Sequence, residues 1–303
     1  MAIASNSISR PLPEQNYQPS FNQRIFTGLC TSSFATVACQ PPEVMMTYRQ
    51  TGDSFKNSLV KALSNPYRGG ILSLGKRGIS QVGIFATKPF FEKIARNISS
   101  NDRSVEAISG CGGGVFQALV TNPLSTLSVR KIRADQNHCH LNEIVQDIPR
   151  KNLRQILCAG TTSNVIRKGT YWGIYFPLRQ FLIDTGKHKN IGEKVLKGEQ
   201  AHEISHRSVE PNIFEKAVSG GVAAMPASAI SMPFDVISKI QKNSKPGEIL
   251  PLFKQAKVLL NQPGGIQNFY RGLSIQMPLL AVAGASVSLG ITFSDYVFSE
   301  KQA

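Results

Sequence analysis

One pattern occurs three times along the 303 residues, and it restricts the fold more than any single motif does. Gly28, Gly110 and Gly220 each precede a proline by thirteen residues: Pro41, Pro123 and Pro233. Mostly small or apolar residues fill each interval (LCTSSFATVACQ, CGGGVFQALVTN and GVAAMPASAISM), a composition suited to closely packed helices, with Gly110 and Gly114 spaced as a GxxxG contact. Each proline lacks an N–H and crowds the preceding turn, which predicts a break or kink there. A second element follows every copy: Tyr67-Arg68-Gly69, Cys158-Ala159-Gly160 and Tyr270-Arg271-Gly272. Each opens another apolar, glycine-containing stretch, ending in Phe85 to Phe91, Tyr175 to Phe181 and Phe293 to Phe298. Short helices are expected between the two elements, near Ser54–Ala62, Leu141–Ile148 and Leu250–Leu259. Self-similarity of this kind marks a repeat architecture. The chain reads as all-α, with six long helices in three two-helix repeats.

No uninterrupted apolar run reaches the roughly 18 residues of a simple transmembrane helix, and the N-terminus lacks a secretory apolar segment. The mean hydropathy of -0.11 averages apolar, glycine-rich stretches with polar connectors. Glycine, proline, glutamine and lysine are tolerated at membrane depth where they face other helices or a water-filled cavity, so a membrane role requires interrupted helices around a solute path. Charged residues are only 17%, where about a quarter is usual, yet the net charge is +15, which points to an anionic partner. Nucleic acid is disfavoured, because the basic excess is spread over connectors without a stripe of interleaved aromatics. Five scattered cysteines without a CxxC pair argue against a disulfide framework. Residues 1–21 read as a disordered tail, 22–100, 101–183 and 212–303 as the three repeats, and 184–211 as a flexible polar insertion.

These residues resemble the mitochondrial carrier family, whose repeats pair Pro-x-Asp/Glu-x-x-Lys/Arg with a downstream aromatic-basic-glycine element. The resemblance covers roughly residues 22–300. It implies six transmembrane helices in threefold pseudosymmetry around a central cavity, three short helices on the matrix side, and alternating access in the mitochondrial inner membrane. It also implies a monomer, with no cofactor, metal or enzyme activity. Pro41 with Glu43 and Pro233 with Asp235 match the gate motif, whereas Ser125 replaces the acid after Pro123, and Met46, Ser128 and Ser238 replace all three bases. Arg49, Arg130 and Lys239 lie nearby, out of register. A weakened gate lowers the barrier between states, so loose coupling, with uniport or leak beside exchange, is expected. At the opposite gate Phe91-Glu92 fits, Phe181 lacks its acid, and Asp295 precedes Tyr296. The other reading of these aromatics is as interfacial anchors.

The family binds solute one to two turns into the even-numbered helices. Seven residues after Gly70 stands Arg77; seven and eight after Gly160 stand Arg167 and Lys168; the same steps from Gly272 reach Leu279 and Leu280. A base at membrane depth is costly unless it faces water or a charge, although these and Lys76 also have the reach to snorkel to the interface. Paired bases suit phosphate or carboxylate, for which arginine offers a bidentate fork. Tyr171, Trp172, Tyr175 and Phe176 are placed to stack a base. The spacing of Arg77 and of the Tyr175-Phe176 pair resembles the ADP/ATP carriers, so an adenine nucleotide is the first expected substrate, with other phosphate or carboxylate metabolites as the alternative. That branch's arginine triplet is absent, Gln276-Met277-Pro278 standing there instead. Arg68-Gly69 and Arg271-Gly272 open helices whose free N–H groups favour phosphate. In the family such sites hold cardiolipin; the other reading is a glycine turn with a solvated arginine.

A different chemistry competes at His202-Glu203-Ile204-Ser205-His206, an HExxH string with the spacing of a zinc peptidase. It lies in a polar insertion, between Gly198 and Pro211, with little room for a helix. The eroded gate motifs and the Ser/Asn-rich N-terminus would also suit a copy encoded by a parasite or intracellular bacterium and delivered to host mitochondria.

Overall fold

The computed structural model describes residues 21–133, 153–196, 213–245, 247–280 and Ala283. The secondary structure among them is helical throughout. Five long helices dominate: α1 (Phe21–Gln50), α3 (Gly70–Ile98), α4 (Asp102–Arg133), α6 (Thr161–Leu196) and α7 (Ile213–Asn243). Shorter ones, α2 (Phe55–Ser64), α5 (Leu153–Leu157) and α8 (Leu252–Asn261), lie in the connectors. A 3-10 helix, Gly265–Tyr270, leads into a further helix over residues 273–280. Local chemistry sets several boundaries. The Ser54 hydroxyl accepts from the Asn57 N–H at 3.3 Å and caps α2, while α4 opens on Asp102 and closes on Arg130, Lys131 and Arg133, complementing the helix dipole.

Pro41, Pro123 and Pro233 lie inside α1, α4 and α7, each of which runs through its proline as one helix. The residue before the first two prolines bridges to the glycine turn that follows. Gln40 Nε2 donates to the Arg68 carbonyl at 3.0 Å, and Asn122 Nδ2 to the Ala159 carbonyl at 3.3 Å. Those turns require glycine: Gly69, Gly160 and Gly272 have φ of 74°, 67° and 90°, in the left-handed region that other residues avoid. Each turn packs on a helix distant in the chain. Gly69 abuts Ser128 and Ile132, Gly160 abuts Ser238, and Gly272 abuts Met46 and Gln50. The three positions where the expected gate bases are missing are thus the three on which the glycine turns rest.

Helix α1 packs on α3, α3 on α4, α4 on α6 and α6 on α7. The helix at 273–280 bridges the remaining gap: Gln276 Nε2 donates to Ser228 Oγ of α7 at 2.5 Å, while Ile275, Pro278 and Leu279 share an apolar groove with Pro41, Pro42 and Met45 of α1. The α4–α6 seam is built from small residues. A Cβ on Gly110 would lie 2.6 Å from the Trp172 carbonyl oxygen, and one on Gly114 only 2.5 Å from that of Lys168, so the two backbones touch. Helix α6 continues to Leu196, so the first part of the segment read as an insertion is helical; residues 197–212 lie outside the described residues, as do 1–20.

Polar side chains share the interior with two apolar clusters. Gln40, Gln50, Gln117, Asn122 and Asn164 are fully buried, whereas Leu29, Val37, Ile79, Phe116, Leu119 and Val222 are exposed on the outer helix faces. Soluble monomers rarely leave such extensive apolar surface uncovered. By composition alone, one stretch among the described residues is long and apolar enough to cross a bilayer: Val218–Asn243, with a mean hydropathy of 1.2. The other long helices bury polar residues as well, among them Gln50 of α1, Ser80 of α3, Gln117 of α4 and Asn164 of α6.

Candidate functional site

The left-handed glycines define the register of the site. Because Gly69 rather than Gly70 matches Gly160 and Gly272, steps of seven and eight reach Lys76-Arg77, Arg167-Lys168 and Leu279-Leu280. All six side chains line one cavity of about 260 Å³, together with Glu43, Ser125 and Asp235 from the three proline motifs. Six cations (Lys76, Arg77, Arg167, Lys168, Lys239 and Lys242) and two carboxylates (Glu43 and Asp235) face this space. A site so unbalanced within a protein interior favours a polyanion.

The two carboxylates, whose motif bases are missing, are held by bases expected to bind solute. Glu43 in α1 takes Arg77 at 2.5 Å and also Lys76, both from α3, and accepts from the Ser73 hydroxyl at 3.2 Å. Asp235 in α7 takes Arg167 of α6 at 3.1 Å, Lys239 of its own helix at 3.3 Å and the Gln50 amide of α1 at 3.0 Å. Absence of the motif bases therefore does not leave these acids unpaired. At the third position the acid is missing, and the ammonium of Lys242 donates to Ser125 Oγ at 3.0 Å.

Tyr171 and Trp172 are the aromatic rings on the cavity wall. The Trp172 indole donates to Gln117 Oε1 at 2.7 Å, and Gln117 in turn donates to Ser80. Tyr175 and Phe176, expected to bind substrate, lie one turn beyond the cavity lining: Tyr175 stacks on Tyr171 and Phe176 on Trp172, bracing the two lining rings from behind. The Lys88 ammonium sits 4.6 Å from the Phe176 ring centre and pairs with Glu106 at 3.0 Å, tying α3 to α4.

At the opposite gate Glu92 pairs locally, with Arg96 of the same helix at 3.0 Å, and Phe91 packs edge-on against Phe90. Tyr296 lies outside the described residues, as does the HExxH string. Arg68, expected at a lipid site, donates through Nε to the Lys131 carbonyl at 3.0 Å near the end of α4, and Arg271 donates to Asn268 Oδ1 at 2.5 Å. Lys239 and Lys242 were not expected in the cavity. Their signal is periodic: with Asp235 they occupy i, i+4 and i+7, one face of α7.

Described residues that are helical throughout, bury many polar side chains and enclose a basic cavity have a build that suits a solute carrier. No family model matches the chain. It is similar to the mitochondrial aspartate-glutamate transporter of Saccharomyces cerevisiae, 26% identical over 202 residues, which cover 63% of this chain and 20% of that protein. The chain thus spans about a fifth of the length of the curated relative it matches. The similarity supports a relationship to mitochondrial carriers and a mitochondrial membrane location.

Proposed function

We propose that the chain is a carrier of the mitochondrial inner membrane that moves an anionic metabolite by alternating access. It does so through six membrane-spanning helices arranged as three two-helix repeats. The observation that carries this reading is the cavity itself, with six cations facing two carboxylates. An adenine nucleotide is the first substrate: its phosphates match Arg77, Arg167 and the neighbouring lysines, and its base matches the Tyr171 and Trp172 rings. A dicarboxylate is the second, favoured by similarity to an aspartate-glutamate transporter. Acidic lipid, cardiolipin first, occupies the helix starts at Arg68-Gly69 and Arg271-Gly272, and the working unit is a monomer.

Liposomes loaded with ADP, with aspartate or with neither test this directly. Uptake of labelled ADP that falls at least tenfold in Arg77→Ala and in Arg167→Ala is the expected result, with slower uptake continuing into empty vesicles as the sign of loose coupling. Unchanged uptake of the transported solute in both variants would dismiss the cavity as its binding site. Transport of aspartate in preference to ADP would replace the first substrate with the second.

A further inference from the structure

The three proline motifs place Glu43, Ser125 and Asp235 at equivalent points on the cavity wall, and only Ser125 cannot carry charge. A cation faces it nonetheless. Lys242 is 2% exposed, and its ammonium donates to Ser125 Oγ at 3.0 Å. Lys168, on the same cavity, donates to Ser80 Oγ at 3.3 Å. Among the described residues the side-chain hydrogen bonds of these two lysines go to hydroxyls alone, and neither lysine has an ion pair. The carboxylates on the cavity are engaged elsewhere: Glu43 by Lys76 and Arg77, Asp235 by Arg167 and Lys239. A buried ammonium without counter-charge is strongly disfavoured, whereas a hydroxyl beside it supplies one more donor for an oxyanion.

We propose that the space beside Ser125 is an anion site, in which a phosphate or carboxylate group held by Lys242, Ser125 and Lys168 takes the place of the missing third acid. The bound group completes a ring of three negative charges, two belonging to the protein and one borrowed. Closure at this end of the cavity then depends on an anion being present. The site rests on the carrier reading only for the source of that anion, which is either free inorganic phosphate or an anionic group of the transported solute.

Thermal unfolding of the purified full chain in detergent, in phosphate-free buffer and then with inorganic phosphate at constant ionic strength, tests the site. Phosphate is expected to raise the melting temperature by about 3 °C, the scale of a ligand that binds the native state alone. Lys242→Gln should abolish that rise. Ser125→Asp, which supplies the carboxylate covalently, should reach a similarly raised melting temperature without phosphate and cease to respond to it. A wild-type chain indifferent to phosphate, a response surviving in both variants, or a Ser125→Asp chain that melts lower would each overturn the proposal. If Lys242→Gln does not fold, Ser125→Asp decides alone. Saturating ADP separates the sources: loss of the phosphate response assigns the site to the solute's own group, and additive shifts assign it to inorganic phosphate. Failure of liposome transport with the phosphate response intact would sink the carrier reading and leave the site standing.

Discussion

The two carboxylate corners of the cavity look alike in composition and differ in what they join. At the first, Glu43 of α1 binds Lys76 and Arg77 of α3, two long helices consecutive but for the short α2 between them. At the other, Asp235 of α7 binds Arg167 of α6 and the Gln50 amide of α1. The Glu43 corner joins two helices close in the chain, whereas the Asp235 corner fastens together α1, α6 and α7. Competition with solute carries different consequences at the two. An anion that takes Arg77 from Glu43 loosens one hairpin, but one that takes Arg167 from Asp235 loosens a junction of three helices. Since rigid-body motion between packed units is the usual way such cavities open, the Asp235 corner is the better candidate for coupling occupancy to movement.

Removing the acids one at a time should break the resemblance. Asp235→Asn leaves the nearly buried Lys239 and the partly buried Arg167 without their carboxylate, a loss of about 3 kcal/mol, the low end for broken buried pairs. Glu43→Gln strands Lys76 and Arg77, but its effect stays between α1 and α3, so a smaller loss, about 2 kcal/mol, is expected, with anion affinity raised because a competitor for Arg77 is gone. Denaturant melts of the two variants with and without ADP measure both quantities. Equal destabilisation and equal gain in affinity would erase the distinction drawn between the corners.

Much of this arrangement is legible along the chain, for reasons that differ from residue to residue. Glycine follows each downstream element, so the level of Arg77 and Lys168 follows by counting from Gly70 and Gly160; the left-handed φ that makes Gly69 the true match of Gly160 and Gly272 belongs to the structure alone. Gly110 and Gly114 announce a tight helix seam because only glycine lets two backbones touch. The partners of Glu43 and Asp235 were not legible. The motif bases are replaced by Met46, Ser128 and Ser238, and nothing in the pattern marks Arg77 and Arg167, set aside for solute, as the substitutes. Four aromatics on consecutive turns do not reveal which pair faces inward, and it is Tyr171 and Trp172 that line the cavity. The helical course of residues 184–196 was hidden by their polar composition, which reads equally well as a loop.

A glycine substitution sharpens the comparison with less chemistry. Gly114→Ala would drive its Cβ to 2.5 Å from the Lys168 carbonyl oxygen, forcing α6 away from α4 and carrying Arg167 with it. A cost of about 2 kcal/mol is expected, the scale of overpacking at a seam that cannot yield. The displacement should weaken the Asp235 corner and spare the Glu43 corner, so transport suffers more than the loss in stability explains. Gly75→Ala in α3 is the control, because nothing lies within 4 Å of its new methyl, and alanine favours a helix over glycine. If the two substitutions gave the same uptake and melting temperature, the α4–α6 seam would have no part in positioning Arg167.

The smallest effect belongs to a third ion cluster, outside the cavity, that measures what such pairs contribute when no solute competes for them. Asp53, in the turn after α1, accepts from Lys61 of α2 at 2.8 Å and from Arg133 at the end of α4 at 3.0 Å, and both cations also lie over the Tyr48 ring. Partial burial alone would raise the Asp53 carboxyl; hydrogen bonds and charges from Lys61 and Arg133 outweigh it and hold the group below its ordinary value of 3.8. A carboxyl whose folded-state pKa is lowered contributes its stability above the unfolded value and loses it as the pH falls through the folded one. Asp53→Asn should therefore cost about 0.5 kcal/mol near neutral pH, the scale of partly exposed pairs, and nothing in strong acid, where the variant and wild-type melting curves converge. Transport should be unaffected, because the Asp53 cluster touches neither of the cavity's carboxylate corners; a transport defect in Asp53→Asn as large as that in Glu43→Gln would show that ties outside the cavity govern its opening as much as those within.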